Sequence, residues 1–354
     1  MKSQLYIIIF SLCAIAGMIS CTQSEILPLS DEEGKQTGTA ILSVATRSTM
    51  AGYSSTEEHI KTLRVIAVTS TRTVIANYYE DFFTDPTASG TVTRVTDIEI
   101  ENIPFGETTF YVIANEASVG LDLSGLAKGE ELPPVNEWEQ MVIANHKEEV
   151  DGSITTFFPR LRRDIGDKGL PITGIHTENV NADTQDITIE ITRAVAKVTF
   201  SFNNYAKTDI PIASLGLGQF IADHTYLFPQ ESTDGTISIP QKNTYTDHIF
   251  VAASEQGATI EQGEFATNKN NEELLVYYFF ETNNTSTPSP YTMGIETVAS
   301  GIFMPPQVFI DDQIIPRNTQ VDVVANIRRH DETAQIEWEV IPFTEENVDV
   351  PPFN

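Results

Sequence analysis

The chain has 354 residues, 40% of them apolar, and carries a formal net charge of −29 at pH 7. That length is enough for two domains with cores of ordinary size. The negative charge excludes nucleic acid and anionic membrane surfaces as partners, because both would be repelled.

The first element is a leader. Lys2 supplies a positive charge, and Leu5 to Ile19 is apolar apart from Ser11. The run is short for a membrane span, which takes roughly 20 apolar residues. It has the form of a secretory signal over residues 1–20, ending in small residues. Cys21 directly after Ser20 resembles a bacterial lipobox, with Met18 where Leu is usual, so lipid is expected on the Cys21 thiol. A plain signal peptide with an incidental cysteine is the alternative. Cys13 and Cys21 are the only cysteines. No intramolecular disulfide is therefore possible downstream, and an exported chain of this kind relies on a large core or on assembly. No second apolar run has membrane length, which leaves Cys21 as the expected attachment.

Residues 22–39 are polar and rich in turn formers, and read as a tether. Ala40–Thr46 is a short strand with Leu42 and Val44 on one face. Arg47 to Ser55 is small and polar, and reads as exposed. Thr62–Thr69 is β-branched, with apolar sets at both 63, 65, 67 and 66, 68. Thr91–Glu101 alternates at Val92, Val95, Ile98 and Ile100, with one slip that predicts a bulge. A turn at 102–106 leads to a strand at Thr108–Ala114. Pro134 and the spacing of Trp138, Met141 and Val142 predict a helix over 134–145. Gln185–Phe202 is too long for one strand and too β-branched for a helix. It predicts a strand that crosses between domains near Arg193. Further strands are expected at 210–217, 237–239, 274–280, 291–297, 308–310, 320–327 and 336–341. Many short strands with little helix predict an all-β protein of two antiparallel β-sandwich domains.

Signals of catalysis are thin. His59, His146, His176, His224, His248 and His330 are scattered, with no metal-ligand spacing, and no P-loop or nucleophile-elbow pattern occurs. The acidic pairs Glu148-Glu149 and Asp311-Asp312 lack the regular oxygen spacing of a calcium loop. No catalytic residue, metal or cofactor is expected. Leu170-Pro-Ile-Thr-Gly174 spells a sortase signal, but the 180 residues after it hold no apolar segment with a basic tail. It is not read as a sortase site.

Taken together, several segments resemble the fimbrillins, the major fimbrial subunits of type V (Bacteroidia-type) pili. They are Ile60–Val68, Ile103-Pro-Phe-Gly running into the aromatic strand that ends Ala114-Asn115, and Leu170–Gly174. They continue with Arg193-Ala-Val-Ala-Lys-Val198, Ile315-Pro-Arg-Asn318 and the tryptophan strand Ile336–Val340. The resemblance implies two transthyretin-like β-sandwich domains, at 48–193 and 194–354. It implies a lipidated propeptide over 21–47 that an arginine-specific extracellular protease removes together with the first strand. Leu42 and Val44 would be displaced, and the open groove would take a strand from another pilus subunit. The precursor would sit at the cell outer membrane and the product in an extracellular fimbrium serving adhesion.

Within that frame the residues themselves favour particular positions. Arg47 is flanked by the small Thr46, Ser48 and Thr49, so cleavage is expected between Arg47 and Ser48. Arg64 and Arg72 lie in or beside strands and are expected to be protected. Ile336, Trp338 and Val340 alternate with Glu337 and Glu339, giving one apolar and one charged face, as a donor strand needs. The same residues would equally complete their own C-terminal sandwich. Two other functions compete: an unprocessed pilus anchor lipoprotein, and a surface glycan-binding lipoprotein.

Overall fold

The computed structural model describes residues 36–46, 59–82, 92–144, 147–150, 153–156, 160–161, 168–183, 185–205, 209–218, 221–222, 224–230, 245–246, 249–252, 259–260, 276–283, 291–297, 303–310, 314–327 and 335–341. The expected strand at 237–239 lies outside the described residues.

The first half begins with β1 (Thr37–Thr46), β2 (Thr62–Thr69), β3 (Val74–Asp81), β4 (Arg94–Pro104) and β5 (Gly106–Ala114). Short strands follow: β6 (Val142–Ala144), β7 (Lys147–Val150), β8 (Ser153–Thr156) and β9 (Arg160–Leu161). The half closes with β10 (Ile172–Val180) and β11 (Gln185–Arg193). Seven of these form one sheet in the order β3-β2-β5-β10-β11-β1-β4. β10 and β11 pair only at Ile172–Arg193 and Thr173–Thr192. Beyond that hinge the sheet divides into two leaves, β3-β2-β5-β10 and β11-β1-β4. Their facing side chains make one core, including Leu42 and Val44 of β1, Val65 of β2, Phe110 and Val112 of β5, and Ile189 of β11. This is a β-sandwich closed by its own hinge.

The leaf containing β2 is buried on its other face too. Ile66, Val68, Tyr111 and Ile113 point away from the first core into a second one. There they meet Trp138, Leu170, Ala194, Val195, Leu227, Phe228, Tyr278 and Phe280. Both apolar sets of Thr62–Thr69 are thus used, one in each core. Strands buried on two faces read as continuous apolar runs rather than clean alternation.

The second half holds β12 (Val195–Asn204), β13 (Ile210–Gly218), β14 (Ile221–Ala222), β15 (His224–Tyr226), β16 (Tyr245–Thr246), β17 (Ile249–Ala252) and β18 (Thr259–Ile260). It continues with β19 (Val276–Phe280), β20 (Thr282–Asn283), β21 (Tyr291–Thr297), β22 (Phe303–Ile310), β23 (Ile314–Ile315), β24 (Gln320–Ile327) and β25 (Gln335–Ile341). Its larger sheets run β25-β24-β12-β19-β9 and β17-β13-β21-β22. Ala194 is the single residue between β11 in one sheet and β12 in another. The separation at that point is not complete. β9 joins the second half's sheet beside β19, and β6 pairs with β15.

Among the described residues pairing is antiparallel except in two places, and these two match. β1, the first strand of its half, runs parallel to β11 and antiparallel to β4. β12, the first strand of the second half, runs parallel to β24 and antiparallel to β19.

The helix expected over 134–145 is a correction. Only one turn forms, α1 (Val135–Trp138), with Pro134 as its N-cap. Val142-Ile143-Ala144 instead pairs with β15. Trp138, the residue that gave the helical spacing, is buried against Tyr111 and Phe228. Tertiary packing rather than helical continuity therefore sets its place. The bulge in β4 is present: the β1–β4 register shifts between Leu42 and Val44, and Asp97 has φ 61°.

Candidate functional site

β1 is the element with functional interest, because it is an interior strand at the start of the described chain. Its register sets Leu42 opposite Ile187 on β11 and Ile98 on β4, and Val44 opposite Ile189 and Val95. The inward set Ala40, Leu42 and Val44 is fully buried. Both ends are tied. The Phe105 amide donates to the Gln36 carbonyl at 3.0 Å, and the Thr46 amide and hydroxyl both donate to the Thr93 carbonyl at 3.0 and 3.2 Å. Removing such a strand would unpair the facing edges of β11 and β4 and open an apolar slot between them. An edge of that kind is a pairing liability until another strand fills it.

Arg47 and Ser48 follow directly on Thr46 in the sequence but lie outside the described residues, as does Cys21. The chain re-enters at His59, and the Ile60 amide donates to the Val92 carbonyl at 2.7 Å. The next two arginines along the chain, Arg64 and Arg72, are engaged. Arg64 is 4% exposed and meets Glu116 through two bonds, Nε to Oε2 and Nη2 to Oε1, each 2.6 Å. Its Nη1 donates to Asn77 at 2.8 Å, and the guanidinium lies under the Tyr79 ring, 4.7 Å from the centroid. Arg72 is half-buried and donates from Nε to the Leu132 carbonyl at 3.1 Å.

The three expected donor residues lie on β25, which pairs antiparallel with β24. Ile336 is opposite Ala325, Trp338 opposite Val323, and Val340 opposite Val321. In this single chain the segment therefore completes its own sheet. It ends that sheet among the described residues, with a partner on one side only.

Three polar devices tie distant segments of the fold together and were missed by sequence reasoning. Asn115, at φ 59°, donates to the His59 carbonyl at 2.9 Å and the Leu170 carbonyl at 2.7 Å, and accepts from the Lys61 amide at 2.8 Å. It ties the re-entering chain to the segment before β10. Arg193 donates to the Asn318 side chain at 2.9 Å, while the Asn318 amide donates to the Val195 carbonyl at 2.8 Å. Glu281, 2% exposed, accepts from Arg317 at 2.5 Å and from the Thr225 hydroxyl at 2.8 Å. Two of the three depend on an asparagine with positive φ near a strand end: Asn115 follows β5 directly, and Asn318 lies two residues before β24. That position, in Ala114-Asn115 and Arg317-Asn318, is the signal a sequence reading could have used.

The sortase-like motif is placed as well. Leu170 through Gly174 are all buried, Ile172–Gly174 belong to β10, and Thr173 donates to the Leu227 carbonyl at 2.8 Å. A Cβ on Gly174 would sit 2.5 Å from the Glu190 carbonyl oxygen, so the glycine lets β10 and β11 approach at the hinge. Among the described residues, no group of three or more His, Cys, Asp or Glu side chains converges as a metal site would.

No family model matches the chain, and no curated protein matches it at a significant level of sequence similarity. Solved structures do share its architecture. The tip fimbrial protein Mfa3 of Porphyromonas gingivalis, solved with a C-terminal truncation, is 10% identical, covering 87% of this chain and 100% of that one at a TM-score of 0.52. A fimbrilin of Porphyromonas gingivalis W83 is 13% identical over 87% of this chain and 98% of that one, at a TM-score of 0.51. A candidate cell adhesion protein of Bacteroides eggerthii is 13% identical with the same two coverages, at a TM-score of 0.54. The chain shares its fold with these fimbrial and adhesion proteins. At such identities the likeness is one of architecture, and it extends over nearly the whole length of each protein.

Proposed function

We propose that this chain is a structural subunit, of shaft or tip, of a type V pilus serving cell adhesion, and not an enzyme. The precursor is a lipoprotein anchored in the outer membrane through Cys21. An arginine-specific extracellular protease cuts between Arg47 and Ser48 and releases residues 21–47 with β1. A strand of a neighbouring subunit then replaces β1, displacing Leu42 and Val44 from the slot between β11 and β4. The C-terminal segment carrying Ile336, Trp338 and Val340 is donated in turn to a neighbour.

One observation carries this reading: an interior strand with a fully buried apolar face ends one residue before Arg47. Burying side chains the size of Leu42 and Val44 is worth about 1.5–3 kcal/mol each. Their loss without replacement would be a large share of a typical domain's stability. A processed chain is therefore driven to take up another strand, a known mode of recognition. Among the described residues β25 has a partner on one side only, so its release breaks one ladder and leaves β24 paired with β12. The shared architecture with fimbrial subunits supports the same reading.

The test is the N-terminal residue of the protein recovered from the cell surface. Ser48 is expected, and Arg47→Ala should leave an unprocessed monomer. Recovery of Cys21 as the N-terminus would favour the pilus-anchor alternative. Palmitate should label the wild type and not Cys21→Ser. A chain truncated after residue 335 should be processed yet fail to support assembly, and normal assembly by it would remove the donor role from Ile336–Val340.

A further inference from the structure

The slot that β1 occupies is not uniform along its length. The inward-facing positions are Gly38, Ala40, Leu42 and Val44, and all are buried. At the first of them a Cβ would lie 2.3 Å from the Asn181 carbonyl oxygen and 2.9 Å from Cγ1 of Val180. At the second, the Ala40 methyl is fully enclosed, so a larger group would meet packed core. β1 therefore presents a hydrogen, a methyl, an isobutyl and an isopropyl group in succession, and the slot is shallow at one end and deep at the other. Val180 and Asn181 belong to the end of β10 and the residue after it, and they remain when β1 leaves.

The C-terminal segment of the same chain does not match that profile. Residues 335–354 contain neither glycine nor alanine. With Trp338 at the Leu42 position and Val340 at the Val44 position, Ile336 falls on the enclosed Ala40 site. With Val348 and Val350 in the two deep positions, Glu346 falls there, and its charge would be buried without a partner. Run in reverse, Val350 and Val348 bring Pro352 to that site, and proline has no N–H for the ladder.

We infer that the slot selects its replacement strand by side-chain size and takes it from a different subunit rather than from a second copy of this chain. The fitting strand carries Gly and then Ala at its first two inward positions, followed by two larger aliphatic residues. The inference rests on the strand-replacement reading above and adds that this chain joins a mixed assembly. Gly38, Ala40 and the Val180–Asn181 wall are the specificity determinants.

The test uses the full chain nicked after Arg47, with fluorescent peptides competing for the slot. The reference peptide is Thr37–Thr46, and the others are that peptide with Gly38→Val, that peptide with Ala40→Ile, and the chain's own residues 335–354. The reference peptide should exchange in. Overpacking should weaken each substituted peptide about tenfold or more, and the tail peptide should compete worse still. The nicked protein alone should stay monomeric by size-exclusion chromatography. Equal competition by the tail peptide, or self-assembly of the nicked protein into a ladder, would overturn the size selection while leaving strand replacement standing. Failure of every peptide, the reference included, would overturn strand replacement and this inference together.

Discussion

Arg193 and Asn318 are 125 positions apart, yet the guanidinium of one donates to the side-chain carbonyl of the other at 2.9 Å. The same asparagine donates its amide to Val195, so it spans the crossing residue Ala194 from both sides. Its φ of 55° suits asparagine and penalises most other residues.

Asn318→Ala should therefore cost stability twice. Losing a hydrogen bond to a charged group costs about 1.5–3 kcal/mol, and a left-handed alanine roughly 1–2 kcal/mol more. Asn318→Gly keeps the backbone relaxed and should show the first loss alone. Denaturant midpoints of the two variants separate the contributions. If neither midpoint moves, Asn318 does not hold the crossing.

Arg64 and Glu116 are buried together, so removing one should be worse than removing both. Glu116→Ala leaves a buried guanidinium short of its main partner and should cost about 3–5 kcal/mol. The double variant Arg64→Met, Glu116→Leu should recover much of that. A double-mutant cycle measures the coupling, and additive losses would show the pair to be independent.

Gly174→Ala places a methyl 2.5 Å from the Glu190 carbonyl oxygen, at the hinge where the two leaves join. The methyl is fixed rigidly to one strand and the oxygen belongs to the backbone of the other, so the strands must part. About 1–3 kcal/mol of destabilisation is expected, read as a lower melting midpoint. An unchanged midpoint would mean that the β10–β11 approach is looser than its geometry.

Burial holds the His59 imidazole below its usual 6.5, and neighbouring Lys61 adds to the effect. Above 6.5 the ring is neutral both folded and unfolded and carries no penalty. As pH falls through that value the unfolded chain binds the proton first, so stability drops until the folded ring is protonated too. His59→Gln should flatten this part of the stability profile as pH falls through about 6.5. A variant whose profile follows the wild type across that window would assign the acid sensitivity to other groups.

The strands around β1 were legible because their faces differ. Ala40, Leu42 and Val44 are buried and alternate with the partly buried Ile41, Ser43 and Ala45, and the slip in β4 fell where Asp97 takes a positive φ. β3 and β10 were missed for opposite reasons. Val74–Asp81 carries Asn77, Tyr78 and Tyr79 at the rim, so it lacks a clean apolar face. Ile172–Val180 starts buried on both faces, is partly or fully exposed from Ile175 to Asn179 and ends on the buried Val180, so no single period describes it. The helix over 134–145 failed because Trp138 is held by aromatic neighbours from distant segments, which spacing cannot reveal. The polar ties at Asn115 and Asn318 join positions far apart in sequence, and only the folded chain brings them together.

The matched parallel pairs, β1 with β11 and β12 with β24, have a mechanical consequence. In parallel neighbours pulled in opposite directions the ladder bonds are loaded side by side rather than one after another. A strand seated in the β1 slot would pass tension by shear into β11, whose chain continues through Ala194 directly into β12. From β12 the load passes by shear again into β24 and then β25. The shortest route for force through the molecule thus avoids every loop and crosses one covalent junction, the residue that Asn318 spans.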